Sequence, residues 1–443
     1  MPSSNLLSNF NIAPNRLINT IHETANLFGA TGQWGPNSTT DTGVRRLALS
    51  DEDKGVRNWY ISELKSLGCE IKIDEVGNIF GVYPSKHQGE PTAIGSHLDT
   101  QPTGGRYDGI LGVLSSLEVL RTFKDSGYIP NFPVASVCWM NEEGARFPLS
   151  MMGSSVYAGV ISKQECYDFE SILDPKPVSV KHELLRTGFL GQTSASYQSN
   201  PIAAHFEYHI EQGPILQDEE KDIGIVVGVQ AYSWFDVYVK GKAQHTGTTP
   251  LSARNDALLS ASKMIVKANE IAHKYEGLCS IGTLTLKPAS VNVIPEYVHF
   301  TLDVRHHLDE TLKLMVEECK TEFESICKKP NGTSNKQATV EFSLIQTSPA
   351  VHFNQDNINC VRESALEVVG VDKTLTIVSG AGHDSCQTSL HCPTAMIFIP
   401  CKDGVSHNFE EYSSPDEIDK GFKTLLGAVV RYDELRKSRS RSA

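Results

Sequence analysis

The chain has 443 residues, 40% apolar and 21% charged, ordinary proportions for a soluble globular enzyme and enough chain for two domains. A formal net charge of −13 argues against nucleic acid as the main partner, because phosphate binding needs clustered Lys and Arg. No window approaches membrane-spanning length, and Met1-Pro2-Ser3-Ser4-Asn5 opens no cationic, apolar signal pattern. The ten cysteines lie scattered from Cys69 to Cys401 without a CxxC pair. They read as thiols in a reducing compartment, so a cytoplasmic protein is expected.

Asn15 to Phe28 is predicted as a helix with Leu17, Ile21 and Ala25 on one face. Ser50 caps a second, carrying Val56, Tyr60, Leu64 and Leu67 and ending at Gly68. Ile71, Ile73, the turn Gly77-Asn78 and Ile79 to Val82 form a hairpin. From Thr92 the pattern becomes that of an α/β protein. Ile110 to Phe123 is an apolar-striped helix, and Val134 to Met140 is an apolar run. Ala204 to His209 alternates like a half-buried strand, and Ala395 to Pro400 is a second continuous apolar run. Gly188 to Pro201 is polar and loop-like. The basic cluster Arg436 to Arg441 reads as a short solvated tail.

Between these lies a segment of different rhythm. Trp234 to Val239 alternates as a strand, and Asn255 to Ala272 is a helix. Ile281 to Leu286 and Tyr297 to Val304 are strands, Asp309 to Cys327 is a helix, and Val340 to Ile345 is the last strand. The order βαββαβ is that of a ferredoxin-like sandwich. The expected organisation is therefore a discontinuous mixed-sheet α/β domain over residues 1–230 and 347–443, with the sandwich inserted over 231–346.

The chemistry-bearing residues follow the presumed strands of the first domain. Gly95-Ser96-His97-Leu98-Asp99-Thr100 places a histidine and a carboxylate after an apolar run. Asp108 follows behind Gly104-Gly105. Glu142-Glu143, His209 in His209-Ile210-Glu211-Gln212, and His407 in Ser406-His407-Asn408 complete the set. Open α/β sheets gather their sites beyond the carboxyl ends of the strands, so one crevice can collect every cluster. His and carboxylate donors without nearby cysteines suit a zinc or manganese site that does chemistry. Taken alone, HxD is most often a surface hydrogen bond, and paired glutamates are usually a solvated charge pair. With the glycine loop and Asp108 added, function outweighs both. His97 and Asp99 share a side of extended backbone, so the Asp99 carboxylate is expected to accept the second ring N–H of His97. Five ligands, one of them bridging, make two three-ligand sites in a two-metal hydrolytic arrangement. One of the paired glutamates would be a ligand and the other a general base. A serine or cysteine nucleophile ranks low: no GxSxG occurs, and Cys386 after His383-Asp384 lacks a convincing context.

These motifs, in this order, resemble the metal-dependent exopeptidase and aminoacylase superfamily. Within it the chain is similar to the branch of N-carbamoyl-L-amino acid hydrolases, allantoate amidohydrolases and yeast-type β-alanine synthases (β-ureidopropionases). The likeness to the last is carried by Arg45 to Ser50, Gly95 to Gln101, Asn141 to Phe147, His209 to Leu216, Gly247 to Pro250, Ser379 to Thr388 and Ser406 to Asn408. The resemblance implies two zinc ions per subunit, with Mn²⁺, Co²⁺ or Ni²⁺ as substitutes. Asp108 would bridge them, His97 and His209 completing one site and Glu143 and His407 the other. It implies Glu142 as general base and Asp99 as the residue orienting His97. In the inserted domain, a dimerisation and lid domain in this family, His245 would reach the partner's active site across a homodimer interface. Asn292 and Arg305 would hold the substrate carboxylate, and Gln212 the ureido group. On residues alone, Arg305 is a surface ion pair with Asp303 or Asp309.

The expected activity is hydrolysis of N-carbamoyl-β-alanine to β-alanine, CO2 and NH3, in reductive pyrimidine breakdown. The alternative is an N-carbamoyl-L-α-amino acid or allantoate, with a dipeptidase or aminoacylase further off. A non-catalytic scaffold on the same fold would have lost ligands, and none of the five is missing.

Overall fold

The computed structural model describes residues 6–328 and 337–442; Met1 to Asn5, read above for a signal pattern, lie outside them. The chain divides into two compact units, residues 1–228 with 352–443, and residues 229–351.

The first unit is built on a nine-stranded mixed sheet. Its centre is a run of parallel strands in the order Thr394–Ile399, Ala204–Ile210, Thr92–His97 and Val134–Trp139. Ile79–Tyr83 and Glu70–Ile73 extend one side as the expected hairpin. Every residue of the four central strands is buried. Strands covered on both faces read as continuous apolar runs, which explains Val134–Trp139 and Thr394–Ile399. Ala204–Ile210 departs from the half-buried strand its alternation predicted: His205, Glu207 and His209 are all buried. Its polar residues face a hydrogen-bonded interior, where Glu207 accepts from Ser96, from the Ser385 backbone and from the Ser385 hydroxyl. Alternation reports polarity, and polarity equals exposure only when no internal partner exists.

Helix Ile110–Asp125 crosses between the first two ligand-bearing strands, with Ile110 to Leu120 wholly buried. Ser50 caps Asp51–Ser66 by accepting the Asp53 N–H, as its sequence predicts. This helix carries Arg57, which is fully buried and donates to Asp53 (2.8 Å), Gly77 O (2.8 Å) and Trp139 O (3.4 Å). Arg46, also fully buried, donates to Leu98 O at 2.7 Å. Two interior cations thus tie down the carboxyl ends of the strands that lead into the ligand loops. The basic cluster at the C-terminus is only partly a solvated tail, its Arg436 half-buried and Ser438 to Arg441 exposed. It forms the last turns of helix Pro415–Ser442, where Arg436 stacks over Phe132 and donates to Thr92 Oγ1 and Glu90 O. Arg439 pairs with Asp356. All ten cysteines are free thiols, and no helix among the described residues is long and apolar enough to cross a membrane.

The second unit is a sheet with strand Ala231–Lys240 between Thr339–Ser348 and Tyr297–His306, all antiparallel. The fourth position is shared by two short strands, Leu278–Ser280 and Leu284–Lys287, both paired to Tyr297–His306; the sequence led us to expect one strand there. Alternation is faithful here: Phe235, Val237 and Val239 are buried while their neighbours are half-buried. Helices Ala257–Lys274 and Asp309–Lys328 cover that face. Phe323 packs against Phe300 and Phe342.

Arg57→Met should leave Asp53 buried without its charge partner. It is expected to cost about 3–5 kcal/mol, read as a lowered midpoint in equilibrium urea denaturation with the slope preserved.

Candidate metal centre

The Asp108 carboxylate is the geometric centre of the site. Its Oδ1 lies 3.1 Å from His209 Nε2 and 3.6 Å from His97 Nε2. Its Oδ2 lies 3.3 Å from His407 Nε2, which stands 3.3 Å from Glu143 Oε2. One carboxylate thus presents each oxygen to a different set of donors. The groups His97–Asp108–His209 and Asp108–Glu143–His407 both bring their ligand atoms within 4.8 Å of one another.

The tertiary reason is that each ligand arrives at the same edge of the sheet. His97 ends its strand and His209 stands one residue from the end of the next. Glu142 and Glu143 follow Trp139, and His407 follows Ile399. Asp108 is delivered by the turn before helix Ile110–Asp125, whose first residue follows Gly109 at φ 67°. A Cβ on Gly109 would overlap the His97 ring, so only glycine lets this turn approach the ligand.

The imidazoles are set up as Nε2 donors. His97 Nδ1 meets the Asp99 carbonyl at 2.9 Å, and His209 Nδ1 meets the Ile210 carbonyl at 2.8 Å. A carbonyl can only accept, so each Nδ1 carries a hydrogen, and Nε2, turned toward Asp108, is the nitrogen left to bind a metal once it has given up its own proton. This corrects the role expected of Asp99: its backbone oxygen, not its carboxylate, orients His97. The Asp99 carboxylate instead accepts the N–H groups of Glu142 (3.3 Å) and Glu143 (3.2 Å). Residues two apart share a side only while the strand runs on, and this one ends at His97, with the Asp99 carbonyl at the ring.

Glu143 is held by Gln101, whose backbone N–H and side-chain amide donate to it at 3.2 and 2.8 Å. Glu142 belongs to neither ligand group. Its Oε2 lies 3.5 Å from His97 Nε2, and its side chain keeps about a tenth of its surface open. Gln212 donates to Asp108 Oδ2 at 2.9 Å. Asn141, Gln212 and His407 all adopt left-handed backbone, with φ of 53°, 59° and 55°. Such positions cost of order 1–3 kcal/mol each and cluster at functional sites.

The electrostatics favour a cation. No lysine or arginine ion-pairs with Asp99, Asp108, Glu142 or Glu143 among the described residues. Burial pushes the Glu142 carboxyl well above its ordinary range, and nearby Asp384, Glu143 and Asp108 add to it. Burial likewise pushes Asp99 up to about 6. For Asp108 burial acts upward too, but hydrogen bonds from His209, His407 and His97 outweigh it and hold the group well below its usual range. His407 is pushed up to about 11 by its hydrogen bonds to Asp108 and Glu143. In the bare protein, protons on imidazole thus supply the positive charge that the carboxylates demand. Nε2 lone pairs, a split carboxylate and a surplus of buried anions fit divalent metal ions.

A third group, Glu207–His209–His383, also converges. Its donors are already engaged: Glu207 by Ser96 and Ser385, His383 by Ser379, and His209 by Ile210 and Asp108. It is a hydrogen-bonded floor beneath the first site. Here His383 finds its place, its ring 4.6 Å from that of His209, while Asp384 accepts from Ser154.

Residues 93–431 match the model of peptidase family M20/M25/M40. The chain belongs to that family. It is 36% identical over 396 residues to an N-carbamoyl-L-amino-acid amidohydrolase of Rhizobium meliloti, covering 89% of this chain and 92% of that one. A ureidoglycolate hydrolase of Arabidopsis thaliana is 32% identical over 392 residues, 86% of this chain and 80% of the relative. The crystal structure of an amidase of the hydantoinase/carbamoylase family from Burkholderia multivorans superposes with a TM-score of 0.86 at 37% identity, covering 95% and 97% of the two chains.

Eight expected site residues of this M20-family chain lie in its first unit: His97, Asp99, Asp108, Glu142, Glu143, His209, Gln212 and His407. His245, Asn292 and Arg305 lie in the second. His245 and Asn292 are exposed, on or beside the short pair Gln244–His245 and Val293–Ile294. Arg305 is forked onto Asp303 through Nε and Nη2, at 3.0 and 2.8 Å. That is the ion pair its sequence neighbours suggest. Sequence reading assigned no role to Gln101, Glu207, Ser406 or Glu411. The first and third stood inside the quoted motifs, whereas Glu207 and Glu411 carry no local signal.

Metal uptake at neutral pH must expel the proton held on His407. The heat of zinc binding to the chelated protein is expected to vary with the ionisation enthalpy of the buffer, with net proton release. Affinity should fall as the pH is lowered. Titration calorimetry in two buffers checks both.

Proposed function

We propose that the chain is a dinuclear, metal-dependent amidohydrolase that cleaves the ureido group of an N-carbamoyl amino acid. The observation that carries this reading is the division of the Asp108 oxygens between two donor sets, with Glu142 beside them and outside both. His97, His209 and Asp108 would hold one ion and Asp108, Glu143 and His407 the other, with zinc the best match to these donors. A divalent pair bound there polarises the ureido carbonyl and makes water nucleophilic near neutral pH.

The chain's own residues supply the rest. Glu142, buried yet open to the crevice, takes the proton of the attacking water and passes it to the departing nitrogen. The Nδ1–H bonds of His97 and His209 keep their rings from turning while charge moves. Gln212, its amide already at the bridge, is placed to meet the ureido group. From the second unit, His245 would stabilise the tetrahedral oxyanion. Asn292 and Arg305 would grip the substrate carboxylate, with Arg305 exchanging Asp303 for substrate. We place His245 in the site of a second subunit of a homodimer, and the enzyme, with its ten unpaired thiols, in the cytoplasm.

The relatives favour an N-carbamoyl-L-α-amino acid as substrate, the alternative on sequence, over N-carbamoyl-β-alanine. The likeness in the motifs from Arg45 to Asn408 supports the β-amino acid as the second reading. The two substrates differ by one methylene between carboxylate and ureido group, worth only ~1–3 kcal/mol in a pocket. Either yields the free amino acid with CO2 and NH3.

Parallel assays of the zinc-loaded protein on an N-carbamoyl-L-α-amino acid, N-carbamoyl-β-alanine, allantoate, ureidoglycolate and a dipeptide decide among these. The first is expected to give the highest kcat/KM, and preference for the dipeptide would overturn the carbamoyl reading. Glu142→Gln should keep its metal and fold while losing turnover by a factor of about 10²–10⁴. Mixing Glu142→Gln with His245→Ala subunits should restore part of the activity that neither has alone; no restoration would refute the shared site.

A further inference from the structure

The two donor groups that share Asp108 come from distant parts of the chain, and something must set their distance. Glu411 is 1% exposed and stands four residues past His407. Its Oε1 accepts the backbone N–H groups of both Tyr107 and Asp108, each at 3.0 Å, across 303 residues in the case of Asp108. Its Oε2 accepts the Ser406 hydroxyl at 2.9 Å. Ser406 Oγ in turn lies 3.2 Å from Asp108 Oδ2 and receives the Gln212 amide at 3.2 Å. One buried carboxylate therefore holds the peptide that presents the bridging ligand and the residue preceding His407.

The loop is shaped to admit it. A Cβ on Gly105 would overlap Glu411 Oε1, so the loop has no room for both a side chain at 105 and this carboxylate. The contact also bears unequally on the two donor groups. His97 and His209 stand on buried strands and are held through Nδ1 by the Asp99 and Ile210 carbonyls, which Glu411 does not touch. His407 has a half-exposed side chain and left-handed backbone. Its carbonyl accepts from Thr103, a residue of the same loop.

We propose that Glu411 is a positioning residue for the dinuclear centre. It locks the Asp108 turn to the Ser406–His407 segment, so that the Asp108–Glu143–His407 position forms at the correct distance from the other. The inference rests on the metal-centre reading above and deepens it. Glu411 touches neither ion nor substrate in this role; it acts through Asp108 and His407. If its function were only to satisfy two N–H groups at the start of a helix, its loss would lower stability and leave metal binding unchanged.

The test is zinc uptake by chelated, refilled protein, measured by equilibrium dialysis alongside thermal melting and steady-state kinetics. Wild type is expected to take up two zinc ions per subunit. Glu411→Ala should keep one tight ion and bind the second about 10–100-fold more weakly, the usual cost of losing an outer-sphere partner. Its kcat should fall by the same order while KM moves less. Glu411→Gln, which keeps an acceptor oxygen for the loop, should recover most of both. Ser406→Ala should shift the second ion in the same direction by less, and Gly105→Ala should reproduce Glu411→Ala. If Glu411→Ala proves unstable, Ser406→Ala and Gly105→Ala are read instead. Unchanged affinity for the second ion in the folded variants, or equal weakening of both ions, would overturn the inference while leaving the metal reading intact. A wild-type chain that takes up no metal would overturn both.

Discussion

Buried negative charge without fixed positive charge is the constraint around which the first unit is organised. Asp99, Asp108 and Glu142 are almost wholly enclosed, and Glu143 nearly so. Carboxylates are taken out of water only when paired, protonated or bound to metal. Here the partners are imidazoles, whose protons a metal ion can replace. Where such a site binds a metal, binding and folding are coupled.

That constraint explains otherwise unrelated features of the structure. The two interior arginines, Arg46 and Arg57, are spent on carbonyls and Asp53 at the strand ends; they do not neutralise the ligand carboxylates. Asp99 accepts backbone N–H groups from Glu142 and Glu143, which aligns the paired glutamates so that one enters a ligand group and the other does not. Left-handed backbone at Asn141, Gln212 and His407 falls at or within three residues of His209, Glu142, Glu143 and His407. The hydrogen-bonded layer of Glu207, Ser385 and His383 gives His209 a firm floor.

The second unit follows ordinary rules of layer packing. One face of its sheet is apolar and covered by two helices, and the other is mixed. Its polar residues are satisfied locally: Arg305 by Asp303, His299 by Asp236. In such a unit a functional arginine and a structural one look alike, because the same fork that grips a substrate carboxylate grips a neighbouring aspartate.

The helix and strand positions that were read followed from periodicity, since burying one face of an element imposes a spacing on the side chains; Ile223–Val229, Gln355–Val369 and Pro415–Ser442 went unassigned. The grouping of His97, Asp108, Glu143, His209 and His407 was legible because His and acidic residues at strand ends have few structural uses in combination. Misreadings occurred where contact partners are distant in sequence. Ala204–Ile210 seemed half-exposed because Ser96 and Ser385 are invisible from its own residues, and Arg436 seemed solvated because Phe132 and Thr92 lie more than 300 residues away. Asp99 was given to His97 from strand geometry, whereas the strand ends at His97 and the Asp99 carbonyl meets the ring. Composition, spacing and residue type by themselves determined the class of fold and which histidines and carboxylates would converge. Only the tertiary structure decided which oxygen meets which nitrogen and which buried carboxylate holds the bridge, because hydrogen bonding depends on distances of a few tenths of an ångström between segments that the linear order keeps far apart.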